Sequence, residues 1–150
     1  ESMHYMLGLY AEICMKHGRP APAGEALAEA LALVRKTCEC WFEAELHRLR
    51  GELALRSDSS GRSANPAAST CFRQAARVAR RQGARLLELR ALVSLADERA
   101  ARGEHAEAVR ILAPLRPFFE RGTGLPAAAA AQTIFARSRE VHASASRVGQ

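Results

Sequence analysis

Aromatic residues are scarce in this 150-residue sequence and make up only 5% of it. β-Branched residues are also few, whereas Ala and Leu dominate the composition. Ala and Leu favour helices, and strands prefer the β-branched and aromatic side chains that are missing here. Hydrophobic residues make up 48% of the chain, which is enough to build a core. The composition therefore predicts an all-α fold.

Long apolar runs are absent as well. None approaches the roughly 20 residues that a membrane-spanning helix needs. No signal-peptide pattern opens the chain, which begins with Glu1 and Ser2 and lacks an initiator Met. We therefore expect a cytoplasmic fragment of a longer protein that has no membrane partner.

Lysine occurs only at Lys16 and Lys36, so arginine supplies almost all of the positive charge behind the net +6. A basic balance can indicate nucleic-acid binding. The arginines are spread along the chain, however, and glutamates are interleaved with them, without an aromatic platform. We therefore expect solvated arginine faces and intrahelical ion pairs, and we do not expect this chain to bind nucleic acid. The sequence leaves open the role of one arginine cluster, which consists of Arg77, Arg80, Arg81 and Arg85.

Motifs for metal binding and catalysis are also missing. The four cysteines and the histidines lack the paired spacing of a structural zinc site. The sequence Gly122-Thr123-Gly124 lacks the Lys of a phosphate-binding loop. Glu43 and Glu45 fall on different faces of one helix, so they do not form a carboxylate pair. We expect buried free thiols, no metal, no cofactor and no enzyme activity.

The segment from Cys71 to Ala100 shows the helical pattern most plainly. Apolar residues beginning at Phe72 follow the spacing i, i+3, i+4 and i+7, which places them on one helix face. Gly83 is suited to end that helix, and the same spacing resumes at Leu89. The first helix of the chain shows a similar pattern, with Met6 and Tyr10 on or near its apolar face.

The same periodicity predicts about seven helices, arranged as antiparallel hairpins with a closing helix. The expected bounds are hairpins at 3–37, 41–82 and 84–120, a closing helix at 125–139 and a frayed tail at 140–150, so that the repeat domain covers 1–139.

Particular residues predict where individual helices begin and end. Trp41 marks the expected beginning of the third helix. The polar stretch 57–65 predicts a loop, and Asn65 with Pro66 is typical of a helix start. Two prolines, Pro114 and Pro117, predict a bend or an early stop in the sixth helix.

The hairpins share an internal repeat of small and large residues. In each hairpin, a small residue on the first helix is followed by three core positions on the second helix. These sets are Ala11 with Ala23, Leu27 and Ala30; Gly51 with Ala68, Phe72 and Ala75; and Ala96 with Ala108, Leu112 and Leu115. Without the longer polar loop of the middle hairpin, the period is about 40 residues.

This pattern of small and large residues resembles an extended form of the tetratricopeptide repeat. Several stretches resemble more specifically the C-terminal repeat arrays of large bacterial regulators, in which a cyclase or DNA-binding domain precedes a signal-transduction ATPase. These stretches are WFEAELHRLRGEL at 41–53, CFRQA at 71–75, ARRQGA at 79–84, LAP at 112–114 and FFERG at 118–122. The resemblance implies an α-solenoid in which stacked hairpins form a right-handed superhelix.

The resemblance also implies a concave groove lined by the first helix of each hairpin. The residues expected to face it are Tyr5, Glu12, Glu45, Arg48, Glu52, Arg90 and Asp97. Arg48 and Arg90 could form forked hydrogen bonds with partner carboxylates, or Arg48 and Glu52 could form an ordinary surface pair. We expect a protein, a peptide or another domain of the same chain as partner. A small-molecule effector site and self-association remain open.

Overall fold

The computed structural model describes residues 3–57, 65–121 and 124–148, and every regular element in these ranges is helical. The all-α prediction is therefore confirmed for the described part of the chain. The helices are α1 (Met3–Lys16), α2 (Pro20–Thr37), α3 (Glu43–Ser57), α4 (Pro66–Arg81), α5 (Arg85–Ala101), α6 (His105–Leu112), α7 (Arg116–Phe119) and α8 (Pro126–Val148), with a 3₁₀ turn at Ala113–Leu115 between α6 and α7.

The chain forms two compact units, Glu1–Ala91 and Leu92–Gln150. In the first unit, α1 packs along α2 and α3 packs along α4, and both helices of the first pair contact α3. Consecutive helices that pack along each other after a short connection are antiparallel hairpins. In the second unit, α6 and α7 pack against α8. This succession of packed helices is that of a helical-repeat-like fold.

Helix ends follow the local signals of the sequence. The Asn65 side chain accepts a hydrogen bond from the backbone N–H of Ala68 at 3.0 Å, and Pro66 occupies the first helical turn. Gly83 adopts a left-handed backbone with φ +67° after α4. The prediction for the two prolines is confirmed, because α6 ends at Leu112 and gives way to the 3₁₀ turn.

Two predicted helix bounds are wrong. The third helix begins at Glu43 instead of Trp41. The closing helix continues to Val148 instead of ending at 139, so the part of the predicted tail from 140 to 148 is helical. The tail lacks core-forming side chains, but it also lacks Gly or Pro before Gly149, so nothing in the sequence stops the helix.

Part of two predicted breaks and the end of the tail lie outside the described residues, namely 58–64 of the polar loop, 122–123 of the glycine-rich break and 149–150 of the tail.

The side chains of the internal repeat are buried as the pattern predicts. Each small residue on a first helix is buried, and each of its three partner positions is at most 2% exposed, including Leu115, which lies in the 3₁₀ turn after α6. This holds for Ala11, Ala23, Leu27 and Ala30; for Gly51, Ala68, Phe72 and Ala75; and for Ala96, Ala108, Leu112 and Leu115.

The middle hairpin has a larger residue on its second helix and a smaller residue on its first helix than the other two hairpins have. It carries the larger Phe72 where the other hairpins carry Leu27 and Leu112, and it has Gly51 where they have alanine. A Cβ atom added to Gly51 would lie 2.7 Å from Cδ1 of Phe72. Because ordinary carbon contacts need about 3.5–4.0 Å, the phenyl ring occupies the space of the missing methyl group.

The predicted inward face of α1 is partly wrong. Met6 is 59% exposed and Tyr10 is 46% exposed, whereas Ala11 and Cys14 on the neighbouring face are buried. Both predicted positions lie beside the true core face, so the predicted apolar face is too wide on that side of the helix.

We expect Gly51→Ala to lower the free energy of unfolding, because overpacking a filled core costs about 1–3 kcal/mol. Gly24→Ala is the matched control, since its added Cβ would lie 3.6 Å from Leu53, an ordinary contact distance. That change should be neutral or stabilising, because Ala favours a helix over Gly by about 0.5–1 kcal/mol. Urea unfolding of both variants measures the difference, and equal effects would contradict the packing of Phe72 against Gly51.

Candidate functional site

Four of the predicted groove residues meet in the first unit and form a charged network. Glu45, Arg48 and Glu52 follow one another on α3 at spacings of three and four residues, which places them on one helix face. Arg90 joins them from α5. We call these four residues the charged network.

The hydrogen bonds of the charged network centre on one carboxylate oxygen. Arg48 donates to Oε1 of Glu45 from Nε at 3.0 Å and from Nη2 at 2.7 Å. Arg90 donates to the same oxygen from Nη2 at 2.7 Å. The third Arg48 donor, Nη1, reaches Oε1 of Glu52 at 2.9 Å. Glu45 therefore ties the first turns of α5 to α3.

Burial makes this arrangement energetically significant. Glu45 is only 3% exposed, and a carboxylate so far removed from water needs cationic partners. Burial by itself lowers the pKa of the Arg48 guanidinium, but the hydrogen bond and the charge of Glu45 outweigh it, so the pKa is raised. Arg48 thus stays charged, and removing one partner of such a pair leaves an uncompensated buried charge that costs about 3–5 kcal/mol.

The two arginines of the charged network differ in how exposed their side chains are and in how many of their nitrogens are already hydrogen-bonded. The Arg48 side chain is 12% exposed, and the carboxylates of Glu45 and Glu52 engage its Nε and both terminal nitrogens. The Arg90 side chain is 41% exposed, and Glu45 fixes it through one terminal nitrogen. The predicted surface pair of Arg48 and Glu52 therefore exists, but as part of a larger and mostly buried network. Arg90 is the member of the network with the most exposed side chain.

The remaining predicted groove residues lie elsewhere. Glu12 forms an ion pair with Lys16 at 3.1 Å, and its charge contributes to the raised pKa of Arg48. Tyr5 packs against aromatic rings, with its ring centroid 5.3 Å from that of Trp41 and 4.9 Å from that of Phe42. The exposed Asp97 belongs to the second unit.

Sequence reasoning missed a second buried carboxylate. The Glu88 side chain is 3% exposed, and its Oε1 accepts a hydrogen bond from Nε of Arg80 at 2.7 Å. Arg85 lies 3.6 Å from its other oxygen. Two members of the arginine cluster near Gly83 are thus ion-paired with Glu88, Arg80 across the turn and Arg85 within α5. The spacing of Arg85 and Glu88 could have indicated one pair, but the contact across the turn could not be found from sequence spacing.

His47 occupies a mostly buried position on α3. Its Nε2 lies 3.6 Å from Oε1 of Glu43, and its side chain is 15% exposed. Burial lowers the pKa of His47 because the charged imidazolium loses its hydration. The Glu43 carboxylate opposes this effect, whereas Arg50 and Arg35 reinforce it, and the net pKa is lowered.

The thiols differ from the prediction of buried cysteines. All four are free, but Cys38 and Cys40 are exposed and Cys71 is half-buried, so only Cys14 fits the prediction. Cys38 has φ +58° and ends α2, so both exposed thiols lie in the connection between α2 and α3. Within residues 3–57, 65–121 and 124–148, no group of three or more His, Cys, Asp or Glu side chains could hold a metal ion.

A surface cleft lies between α2 and α3. Its volume is about 480 Å³, and its walls include Leu27, Leu31 and Leu53, with Arg35 and Arg50 as charged lining residues. Small-molecule sites commonly have volumes of about 300–1,000 Å³, so this cleft could hold a small ligand. The cleft contains none of the seven predicted groove residues.

Comparison with known proteins adds no relative. No family model, no curated protein and no solved structure matches the chain. No helix in the described part of the chain is long and apolar enough to cross a membrane.

The lowered pKa of His47 predicts that stability falls in mild acid. When the pKa of a histidine in the folded state lies below its unfolded value of about 6.5, the unfolded state binds more protons than the folded state does near that pH. Its contribution is present above that unfolded value and is lost as the pH falls towards the folded pKa. We expect His47→Gln to flatten the fall in free energy of unfolding between pH 7 and pH 5.

The control for this prediction is His17→Gln at an exposed position. It should leave the pH dependence unchanged. Urea unfolding at a series of pH values measures both variants, and a slope that His47→Gln leaves intact would show that burial of His47 does not penalise its charged form.

Proposed function

We propose that this chain is an interaction and sensor module that binds a protein, a peptide or another domain of the same polypeptide. The observation that carries the proposal is the geometry of Arg90. Its guanidinium is fixed by the buried Glu45 while its side chain remains 41% exposed. The module thus presents a positioned cation on a helical-repeat-like surface.

A positioned arginine is well suited to recognise carboxylates. The planar guanidinium can donate two parallel hydrogen bonds to one carboxylate. Holding it in place before binding reduces the loss of side-chain freedom, which would otherwise oppose association. Arginine is also one of the residue types that dominate binding energy at protein interfaces. The preferred partner is therefore a segment that carries Asp or Glu.

The wider setting of the module is part of the same proposal. We infer a cytoplasmic piece of a bacterial signalling ATPase, cyclase or transcriptional regulator, in which binding at the repeats is passed to an attached domain. The support is the resemblance of residues 41–53, 71–75 and 79–84 to the repeat arrays of such proteins. A role in binding and not in catalysis agrees with the internal pairing of the buried carboxylates Glu45 and Glu88.

The proposal predicts the outcome of selecting a random peptide library on the folded chain. Selected peptides should carry acidic residues, and Arg90→Ala should weaken their binding about tenfold, which corresponds to about 1.4 kcal/mol. Arg90→Lys should also weaken binding, because an ammonium group cannot reproduce the planar fork. Isothermal titration of one selected peptide against each variant measures the affinities.

The matched control is Arg73→Ala, which removes an exposed arginine from α4. It should leave the affinity unchanged. Acidic peptides that bind the Arg90→Ala variant as tightly as the parent protein would refute a role for Arg90, and a library that yields no binder would count against the module as a peptide receptor.

A small-molecule effector site is the second candidate function, and the cleft between α2 and α3 favours it. The apolar walls and the two arginines, Arg35 and Arg50, suit an amphipathic carboxylate. Such a ligand should raise the melting temperature of the parent protein and not that of Arg50→Gln, because a ligand that binds only the folded state stabilises it. Equal shifts in both proteins would exclude the cleft.

A further inference from the structure

The outward side of α1 carries an exposed apolar stripe. Its members are Met3 at 55% exposure, Met6 at 59%, Tyr10 at 46% and Ile13 at 54%. Their spacings of three, four and three residues place them on one face of the helix. Large exposed apolar side chains that occur singly need no explanation, but a contiguous set on one face indicates a binding surface. We call these four residues the α1 stripe.

The internal repeat shows what this face does in the next hairpin. Taking Ala11 and Gly51 as equivalent positions aligns α1 with α3 residue by residue. In this register Met6 and Ile13 of the α1 stripe correspond to Leu46 and Leu53 of α3, and the half-buried Leu9 corresponds to Leu49. The other two members of the stripe, Met3 and Tyr10, correspond to Glu43 and Arg50.

The α3 residues on this face are packing residues. Leu46 is 0% exposed and Leu49 is 2% exposed, and both belong to the core cluster formed with α1 and α2. Leu53 packs against the same cluster. This side of α3 therefore stacks on the preceding hairpin, whereas Glu45 on another side of the helix contacts Arg90. On the equivalent side of α1, Met6 and Ile13 are exposed and Leu9 is half-buried.

We propose that the α1 stripe is a docking surface for a further helical hairpin of the same repeat type. It continues the stacking interface that α3 already makes with α1 and α2. The proposal goes beyond the proposed function, because the charged network takes no part in it. The expected partner is thus defined by its chemistry, namely two antiparallel helices with a groove of small residues between Leu side chains.

The small residues of that partner can be placed from the existing interface. A Cβ on Gly8 would lie 3.0 Å from Cδ2 of Leu46, and one on Gly24 would lie 3.6 Å from Cδ2 of Leu53. The α3 leucines therefore pack directly against the glycines of α1 and α2. A hairpin that docks on Met6 and Ile13 needs Gly or Ala at the equivalents of Gly8 and Gly24.

A second copy of this chain does not provide that groove at its closing helix. Three outward residues of α8, Thr133, Arg137 and Glu140, are exposed and polar. Burying them against methionine and isoleucine would leave polar groups without water or partners, which is costly. The proposal therefore commits to a hairpin like α1 and α2, which presents Gly8 and Gly24.

The test supplies such a hairpin directly. The full chain is extended at its N-terminus with a second copy of residues 3–40, in which the copied Met3 and Met6 are replaced by Leu. Oxidation of the original methionines by hydrogen peroxide then reports their exposure, because attack on a thioether requires access. Met15, which is 6% exposed, serves as the internal reference.

Docking predicts that Met6 oxidises severalfold more slowly in the extended chain than in the parent chain, relative to Met15. It also predicts a higher melting temperature, since each repeat is stabilised by its neighbour. Met6→Glu with Ile13→Glu in the original hairpin should abolish the gain in melting temperature but change the stability of the parent chain little. Ala32→Glu, at an exposed position of α2, should preserve the gain.

Two results would overturn the proposal. In one, Met6 oxidises equally fast in the extended and parent chains, and the added hairpin melts separately. In the other, sedimentation shows that the parent chain dimerises and that Met6→Glu with Ile13→Glu abolishes the dimer, which would assign the stripe to a second copy of the chain.

Discussion

The close approach of two helices at a small residue is the constraint on which the hairpins depend. Gly51 leaves the space that the ring of Phe72 fills, and the first hairpin buries Ala11 and Leu27 in one core cluster. With few aromatic residues, the chain cannot fill wide gaps between helices, so it brings the helices together instead. The small residues therefore contribute to stability because they leave space in which larger side chains of the facing helix pack.

The charged network depends on that packing. The helix contacts remove Glu45 from water, and burial then makes its pairing with Arg48 and Arg90 strong. Glu45 and Arg48 on an isolated helix would form a surface pair worth about 0.3–0.5 kcal/mol. Because Glu45 is held in place by the packing of α3, its hydrogen bond fixes the orientation of Arg90. The proposed recognition of acidic segments depends on that orientation.

The sequence predicted the all-α fold and the buried repeat positions well because small and large residues repeat at a helical period, and burial follows that period. It could not predict that Arg48 is largely buried, since burial of a long side chain depends on helices that come from other parts of the chain. The pair of Arg80 and Glu88 was missed for a similar reason, because it crosses a turn. Met6 and Tyr10 were misplaced because the sequence does not distinguish an apolar residue that faces outward from one in the core. The closing helix is longer than predicted because helix propensity does not require a core.

The most direct test of the central claim moves the packing of the middle hairpin into the first one. Leu27→Phe alone should lower the free energy of unfolding by about 1–3 kcal/mol, because the larger ring meets the methyl group of Ala11. Adding Ala11→Gly should recover most of that loss, although Gly alone costs about 0.5–1 kcal/mol in a helix. Urea unfolding of both single variants and the double variant gives the coupling energy, and our account predicts a favourable value above about 1 kcal/mol. Effects that simply add would contradict it.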